Sequence, residues 1–194
     1  MRNQDTRKAI IDAAVEVFAQ KGYEKATVDE IAARAQVAKG TVFYSFKSKE
    51  DIFFAIIEYG TRTFTEFVQS RSSQGANANE RLDMAYQAAF EFFEQYNSFC
   101  TVLVSELWRI QSKWNYEPTD LLDAYKRQME DIFEEGQRLG EFRDDFSAQD
   151  LGLIVFFLAA ISSLSKTLST RRDASRHLAD KAKKIFFRGL AKEE

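Results

Sequence analysis

Three observations predict an all-α protein. Proline occurs once and glycine eight times in 194 residues, so few positions interrupt a helix. Beyond Asp51, apolar residues recur at helical spacing almost without a break. Hydrophobic residues make up 45% of the chain, ample for a core in one large or two small domains.

The elements follow in order. A first helix through Arg7–Lys21 is stopped by Gly22, which takes a left-handed conformation at low steric cost. Thr27 caps a second helix over Val28–Ala35, and Glu30 completes a capping box. Val28, Ile31, Ala32 and Ala35 share one face of that helix, small enough for another helix to cross closely. Gln36, Val37 and Ala38 make the turn. A third helix, Lys39–Phe46, buries only Val42 and Phe46, leaving Lys39, Gly40, Thr41, Phe43, Tyr44 and Ser45 on its outer side. Ser48 caps a fourth helix that runs to about Arg71. Its two apolar stripes, Ile52, Ile56, Tyr59 and Thr63 beside Phe53, Ile57, Phe64 and Phe67, require two neighbours, taken as the head and the body.

Residues 70–79 form the most loop-like stretch. Helix five carries Leu82, Ala85, Tyr86, Ala89, Phe93 and Tyr96. Helix six carries Phe99, Leu103, Leu107, Ile110 and Trp114 beside Cys100, Val104 and Trp108. Pro118 suits the first turn of helix seven, which displays Leu122, Tyr125, Met129, Ile132, Phe133 and Leu139 and ends near Gly140. Helix eight is apolar most of the way round, through Leu151, Ile154, Phe157, Leu158, Ile161, Leu164 and Leu168. Helix nine, about residues 173–191, has a narrower stripe of Ala174, Leu178, Ala182, Ile185, Phe186 and Gly189.

Two short helices joined by a tight turn, with hydroxyls, a cation and aromatics facing outward, suit a groove of bases and phosphates. Lys39, Lys47 and Lys49 surround this unit, and a phosphate would offset the unfavourable placement of lysine near a helix N-terminus. Residues 1–50 hold nine Lys and Arg against seven Asp and Glu, net +2, whereas residues 51–194 hold 18 against 23, net −5. A DNA-facing head on an acidic body fits that split.

Residues 5–59 resemble the DNA-binding domain of the TetR/AcrR family of transcriptional regulators. The resemblance rests on the first helix ending at Gly22-Tyr23, on Ala26-Thr27-Val28-Asp29-Glu30-Ile31-Ala32, on Lys39-Gly40-Thr41-Val42-Phe43-Tyr44-Ser45-Phe46, and on Lys47-Ser48-Lys49-Glu50-Asp51. It implies a helix-turn-helix domain over residues 1–47 and a helical ligand-binding and dimerisation domain over 48–194. It also implies that Thr27, Tyr44 and Lys49 hold phosphates and that Lys39, Gly40, Thr41, Phe43 and Ser45 lie along the bases. Four positions depart from the family pattern: Gln36 replaces a common glycine, Ala38 a capping serine, Phe43 a tyrosine and Ser45 a histidine.

The chain holds 18 Phe, 7 Tyr and 2 Trp, many of them on helices four to seven. Such a stripe suits a plain core, but rings at this density also line cavities for apolar or aromatic guests. The resemblance implies such a cavity, with Phe64, Phe67, Tyr86, Phe90, Phe93, Phe99, Leu103, Trp108 and Phe133 as candidate walls. Arg62, Glu91 and Arg109 are candidates to orient a polar end of the guest. Helix eight is either the central core helix or, with helix nine, half of an intersubunit four-helix bundle. The resemblance favours the bundle, with Leu151, Ile154, Phe157, Leu158, Ile161, Leu178, Ile185 and Phe186 at a homodimer interface.

Enzyme chemistry fits poorly. His177 is the only histidine, so neither a catalytic triad beside an apolar cleft nor a di-iron bundle can be assembled. Cys100 is the only cysteine, which excludes an intrachain disulfide and a cysteine-cluster zinc site, and its apolar neighbours make it a buried small residue. The polar Met1–Asp5 segment gives no secretory signal, and the apolar run at residues 151–161 is too short to span a bilayer. The expectation is a cytoplasmic, dimeric regulator without a cofactor. It is a repressor of a palindromic operator in double-stranded DNA, released by a small hydrophobic or aromatic inducer. The alternatives are an activator that senses nothing and a helical carrier of apolar molecules whose head no longer reads DNA.

Overall fold

The computed structural model describes residues 2–103, 105, 123–168 and 174–190. The helices are α1 (Arg2–Lys21), α2 (Val28–Arg34), α3 (Lys39–Ser45), α4 (Lys49–Ser72), α5 (Ala78–Gln95), α6 (residues 97–103 and 105), α7 (Asp123–Arg138), α8 (Ala148–Leu168) and α9 (Ala174–Leu190). The all-α reading is correct. The described residues of Met1–Arg62 and Tyr96–Leu121 form one compact unit, and those of Thr63–Gln95 and Leu122–Glu194 form a second.

In the first unit α2 packs against both α1 and α3. Ile10, Ala14, Phe18, Ile31, Val42, Ile52 and Ile56 fill its core, and the rings of Phe18, Tyr23 and Phe53 meet at tilted or edge-on angles. Burying such side chains removes apolar surface from water and fixes the angle at which the short helices cross. α1 starts at Arg2, a turn earlier than Arg7, and ends where Gly22 adopts φ +76°. The Gly22 amide donates to the Phe18 carbonyl at 2.8 Å, closing the last turn.

In the second unit α8 packs against α5, α7 and α9. Leu82, Ala85, Ala89, Tyr125, Met129, Ile132, Phe133, Val155 and Ala159 are almost wholly enclosed. Helical periodicity located those on α5 and α7, whereas on α8 it missed Val155 and Ala159, and the stripe residues Ile154 and Phe157 are exposed. A Cβ on Gly136 would overlap the Phe142 ring, so glycine there lets the chain after α7 fold back onto the helix.

Several boundaries and faces differ from expectation. The loop shortens to residues 73–77 because α4 runs on to Ser72. Leu139 is 55% exposed because α7 stops at Arg138 and the chain turns at Gly140 with φ +74°. Tyr96 stands at the turn between α5 and α6 and is exposed rather than part of the buried stripe. Val104, Leu107, Trp108, Arg109, Ile110, Trp114, Pro118 and Leu122 lie outside the described residues.

Candidate functional site

The head is assembled from caps. The Glu30 amide donates to Thr27 Oγ1 at 3.3 Å and the Thr27 amide donates to Glu30 Oε2 at 3.0 Å, so the capping box forms. Lys21 pairs with the same carboxylate, and these hydrogen bonds hold Glu30 below the usual carboxylate range, Lys21 contributing most. α2 ends in a Schellman arrangement: the Gln36 amide donates to Ala33 O at 3.2 Å and the Val37 amide to Ala32 O at 3.0 Å. Gln36 takes φ +56° in that turn. The glycine common in the family at this position would adopt that conformation without a Cβ penalty. Ala38 caps α3 with no side-chain hydrogen bond.

On α3, Val42 and Phe46 are buried as expected, while Tyr44 is 82% and Phe43 47% exposed. Lys39 and Gly40 are exposed and Thr41 is half-buried. Lys39 pairs with Asp29 at 2.9 Å, a surface contact that a phosphate can exchange with at little cost. Lys47 is exposed. Ser45 faces differently from the outward reading, because its Oγ is enclosed without a hydrogen-bond partner among the described residues. Its carbonyl accepts from Arg7 Nη1 at 2.8 Å, and the Arg7 guanidinium lies 4.1 Å from the centre of the Phe46 ring. Arg7 therefore fixes the end of the exposed helix from α1. Sequence reading missed this role, since the partners are 38 residues apart and no local spacing marks them.

Lys49 sits half-buried with its ammonium on three carbonyls, those of Tyr23 at 2.7 Å, Ala26 at 2.9 Å and Glu24 at 3.2 Å. Its three donors are thus occupied by the loop that precedes Thr27. The resemblance implies that Lys49 holds a phosphate, but the folded loop brings these carbonyls to its ammonium instead.

In the second unit the candidate ligand-wall residues separate. Phe64, Phe67 and Phe93 join Phe92, Tyr125 and Phe156 in one aromatic cluster, with Phe64 centred 5.2 Å from Phe92, 5.1 Å from Tyr125 and 5.6 Å from Phe156. Tyr86 and Phe90 are buried on α5, and Phe133 lies tilted with its ring centred 5.7 Å from Phe142 instead of joining the cluster. Phe99 and Leu103 belong to the first unit, where the Phe99 ring lies against Gly60. Tyr125, Phe92 and Phe156 entered the cluster without having been picked as walls, because edge-to-face neighbours on three helices leave no pattern in one stretch of sequence. A hollow of 160 Å³ on this unit is lined by Arg71, Gln74, Met84, Gln87, Ala88 and Glu91, a polar set unlike the aromatic wall expected. Glu91 stands 3.8 Å from Arg71 in an ion pair, and Arg62 is exposed.

The pattern of bacterial regulatory proteins of the tetR family matches residues 10–56, and that of the tetracyclin repressor-like C-terminal domain matches residues 75–165. The chain belongs to the TetR family. It is 29% identical over 147 residues to the fatty acid metabolism regulator protein of Bacillus subtilis (strain 168), covering 76% of each chain. Among solved structures it resembles FadR from Bacillus subtilis in complex with stearoyl-CoA, at 25% identity and a TM-score of 0.80 over 94% of this chain and 98% of that one. It also has the fold of the fatty acid degradation regulator FadR from Bacillus halodurans, at 22% identity and a TM-score of 0.84 over 95% of each chain.

The residues predicted to face a second copy lie on α8 and α9. Ile154 and Phe157 on α8 are exposed and Ile185 on α9 is 75% exposed, while Leu158 and Phe186 are half-buried. Leu151 is enclosed in its own unit at 4% exposure, so it has no surface to offer a partner. The side chains of Ile161 and Leu178 lie outside the described residues. Cys100 is buried, and desolvation pushes its thiol up to about 12. Among the described residues no cluster of His, Cys, Asp and Glu can hold a metal ion, and no helix is long and apolar enough to cross a membrane.

Proposed function

We propose that this TetR-family regulator is a cytoplasmic homodimeric repressor that reads a palindromic operator through α3 and is released by a fatty-acyl ligand bound in the second unit. The observation that carries the DNA reading is the outward Phe43-Tyr44 pair on a helix otherwise anchored by Val42, Phe46 and the Arg7 bond. Large rings left in water are unfavourable unless a partner covers them. A groove edge offers thymine methyls to Phe43 and a phosphate to the Tyr44 hydroxyl. Lys39, Gly40, Thr41 and Lys47 lie beside them, and Thr27 marks the start of α2.

Dimerisation is supported by exposed Ile154, Phe157 and Ile185, which a second copy would cover in a symmetric helical bundle. Two heads on a two-fold axis meet successive major grooves about 34–36 Å apart. A fatty-acyl guest is supported by the aromatic cluster and by the stearoyl-CoA bound to the related Bacillus subtilis regulator. α4 runs unbroken from the first unit into the second and would carry the response. A guest that binds the splayed dimer better than the DNA-bound one shifts the population away from DNA, with coupling of about 1–3 kcal/mol.

Selection from a random duplex pool at near-physiological salt tests this reading. The expected product is a palindrome whose complex with the protein dissociates on addition of stearoyl-CoA. Recovery of nothing above the non-specific background would overturn it in favour of a helical carrier. A palindrome indifferent to acyl ligands would leave a DNA-binding protein that senses something else.

A further inference from the structure

The Tyr125 side chain is wholly enclosed, with its ring centred 5.1 Å from Phe64 and 5.7 Å from Phe156. Its hydroxyl has no hydrogen-bond partner among the described residues. Three residues on, Gln128 donates through Nε2 to Ser72 Oγ at 2.9 Å, while its side-chain oxygen is also enclosed and unbonded. An unbonded hydroxyl among phenylalanine rings opposes folding, and phenylalanine would pack the same ring without that penalty. Burial holds the phenol proton on far above its ordinary range, so the group can only act neutral, as a donor or acceptor of a hydrogen bond.

We propose that the Tyr125 hydroxyl is the hydrogen-bond donor for the ligand of this regulator, and that it selects a guest carrying a neutral carbonyl oxygen on an apolar body. An acyl thioester, an ester or a ketone has that chemistry. A free carboxylate does not, because the surrounding Phe64, Phe93 and Phe156 rings supply no counter-charge to a buried anion. A plain alkyl chain would enter the cluster only by parting the same rings and would leave the hydroxyl unbonded. The inference rests on the reading of the aromatic cluster as the ligand site and adds the functional group the ligand must bring.

The test compares stearoyl-CoA with its thioether analogue S-octadecyl-CoA, which has the same chain and lacks the carbonyl, on the full chain and on Tyr125→Phe. The full chain is expected to prefer the thioester by roughly tenfold, the scale of one buried hydrogen bond. Tyr125→Phe is expected to lose that preference while melting at the same or a higher temperature without ligand. A preference that survives in Tyr125→Phe overturns the proposal while leaving the acyl-ligand reading intact. Failure of the full chain to bind either compound overturns both.

Discussion

The ammonium of Lys49 lies 2.7 Å from the carbonyl oxygen of Tyr23 and 4.5 Å from the centre of the same residue's ring. One side chain thereby ties the start of α4 to the loop that delivers Thr27 to the head of α2. Lys49→Met is therefore expected to destabilise the protein by about 1.5–3 kcal/mol, the range for hydrogen bonds to a charged group. Urea melting measures this. If Lys49 acts only on phosphate, the substitution will leave the melt unchanged and reduce the salt dependence of DNA binding by about one counterion instead.

Gln36 occupies a left-handed turn and Ala38 leaves α3 without a side-chain cap. Gln36→Gly is expected to stabilise the head by about 0.5–1 kcal/mol, the gain in backbone ease exceeding the entropy glycine adds to the unfolded chain. Ala38→Ser should add about 1 kcal/mol by supplying the cap. Denaturant midpoints of the single and double variants check both values and their additivity. No change in either would mean that the turn and cap geometry is not limiting.

Glu30 bears on acid stability. Its carboxyl is held below its ordinary 4.5 chiefly by the Lys21 hydrogen bond and then by Thr27. The depressed value means that the folded state favours the charged form. That contribution is present above about 4.5 and fades as the pH falls through the lower folded value. Stability measured from pH 6 downwards should fall less steeply for Glu30→Gln than for the unaltered chain; parallel curves would remove the capping box from the acid transition.

Phe157 and Leu151 lie on the same helix but face different surroundings. In the proposed dimer, Phe157→Asp is expected to give a folded monomer in sedimentation velocity, because the ring is exposed on its own chain, where it meets Phe156. Leu151→Ala should instead lower stability by about 2–5 kcal/mol, the cost of a buried cavity, and leave the association of folded chains unchanged. A dimer that survives Phe157→Asp would place the interface elsewhere.

Arg7 provides a further check on the exposed helix. Removing its bond to the Ser45 carbonyl in Arg7→Met should loosen the end of α3 and weaken binding to all duplex sequences, with the melting temperature falling modestly. Amide exchange of residues 43–46 would report the loosening directly; unchanged protection there would limit Arg7 to surface packing.

What the sequence determined by itself was whatever depends on near neighbours. Thr27 and Glu30 are three residues apart and form the predicted box, Gly22 takes the left-handed stop, and Val42 and Phe46 bury the inner face of α3. Helical period and caps are local, so they survive without knowledge of the fold. Tertiary structure decided which side chains are free to act. It placed Lys49 on three carbonyls, turned the Ser45 hydroxyl inward, bonded Arg7 to a carbonyl 38 residues away, and gathered Phe64, Phe93, Tyr125 and Phe156 from four helices around a phenol with no hydrogen bond among the described residues. Each of these depends on which helix crosses which, and that follows from the collective burial of apolar surface rather than from the spacing of any pair of residues along the chain.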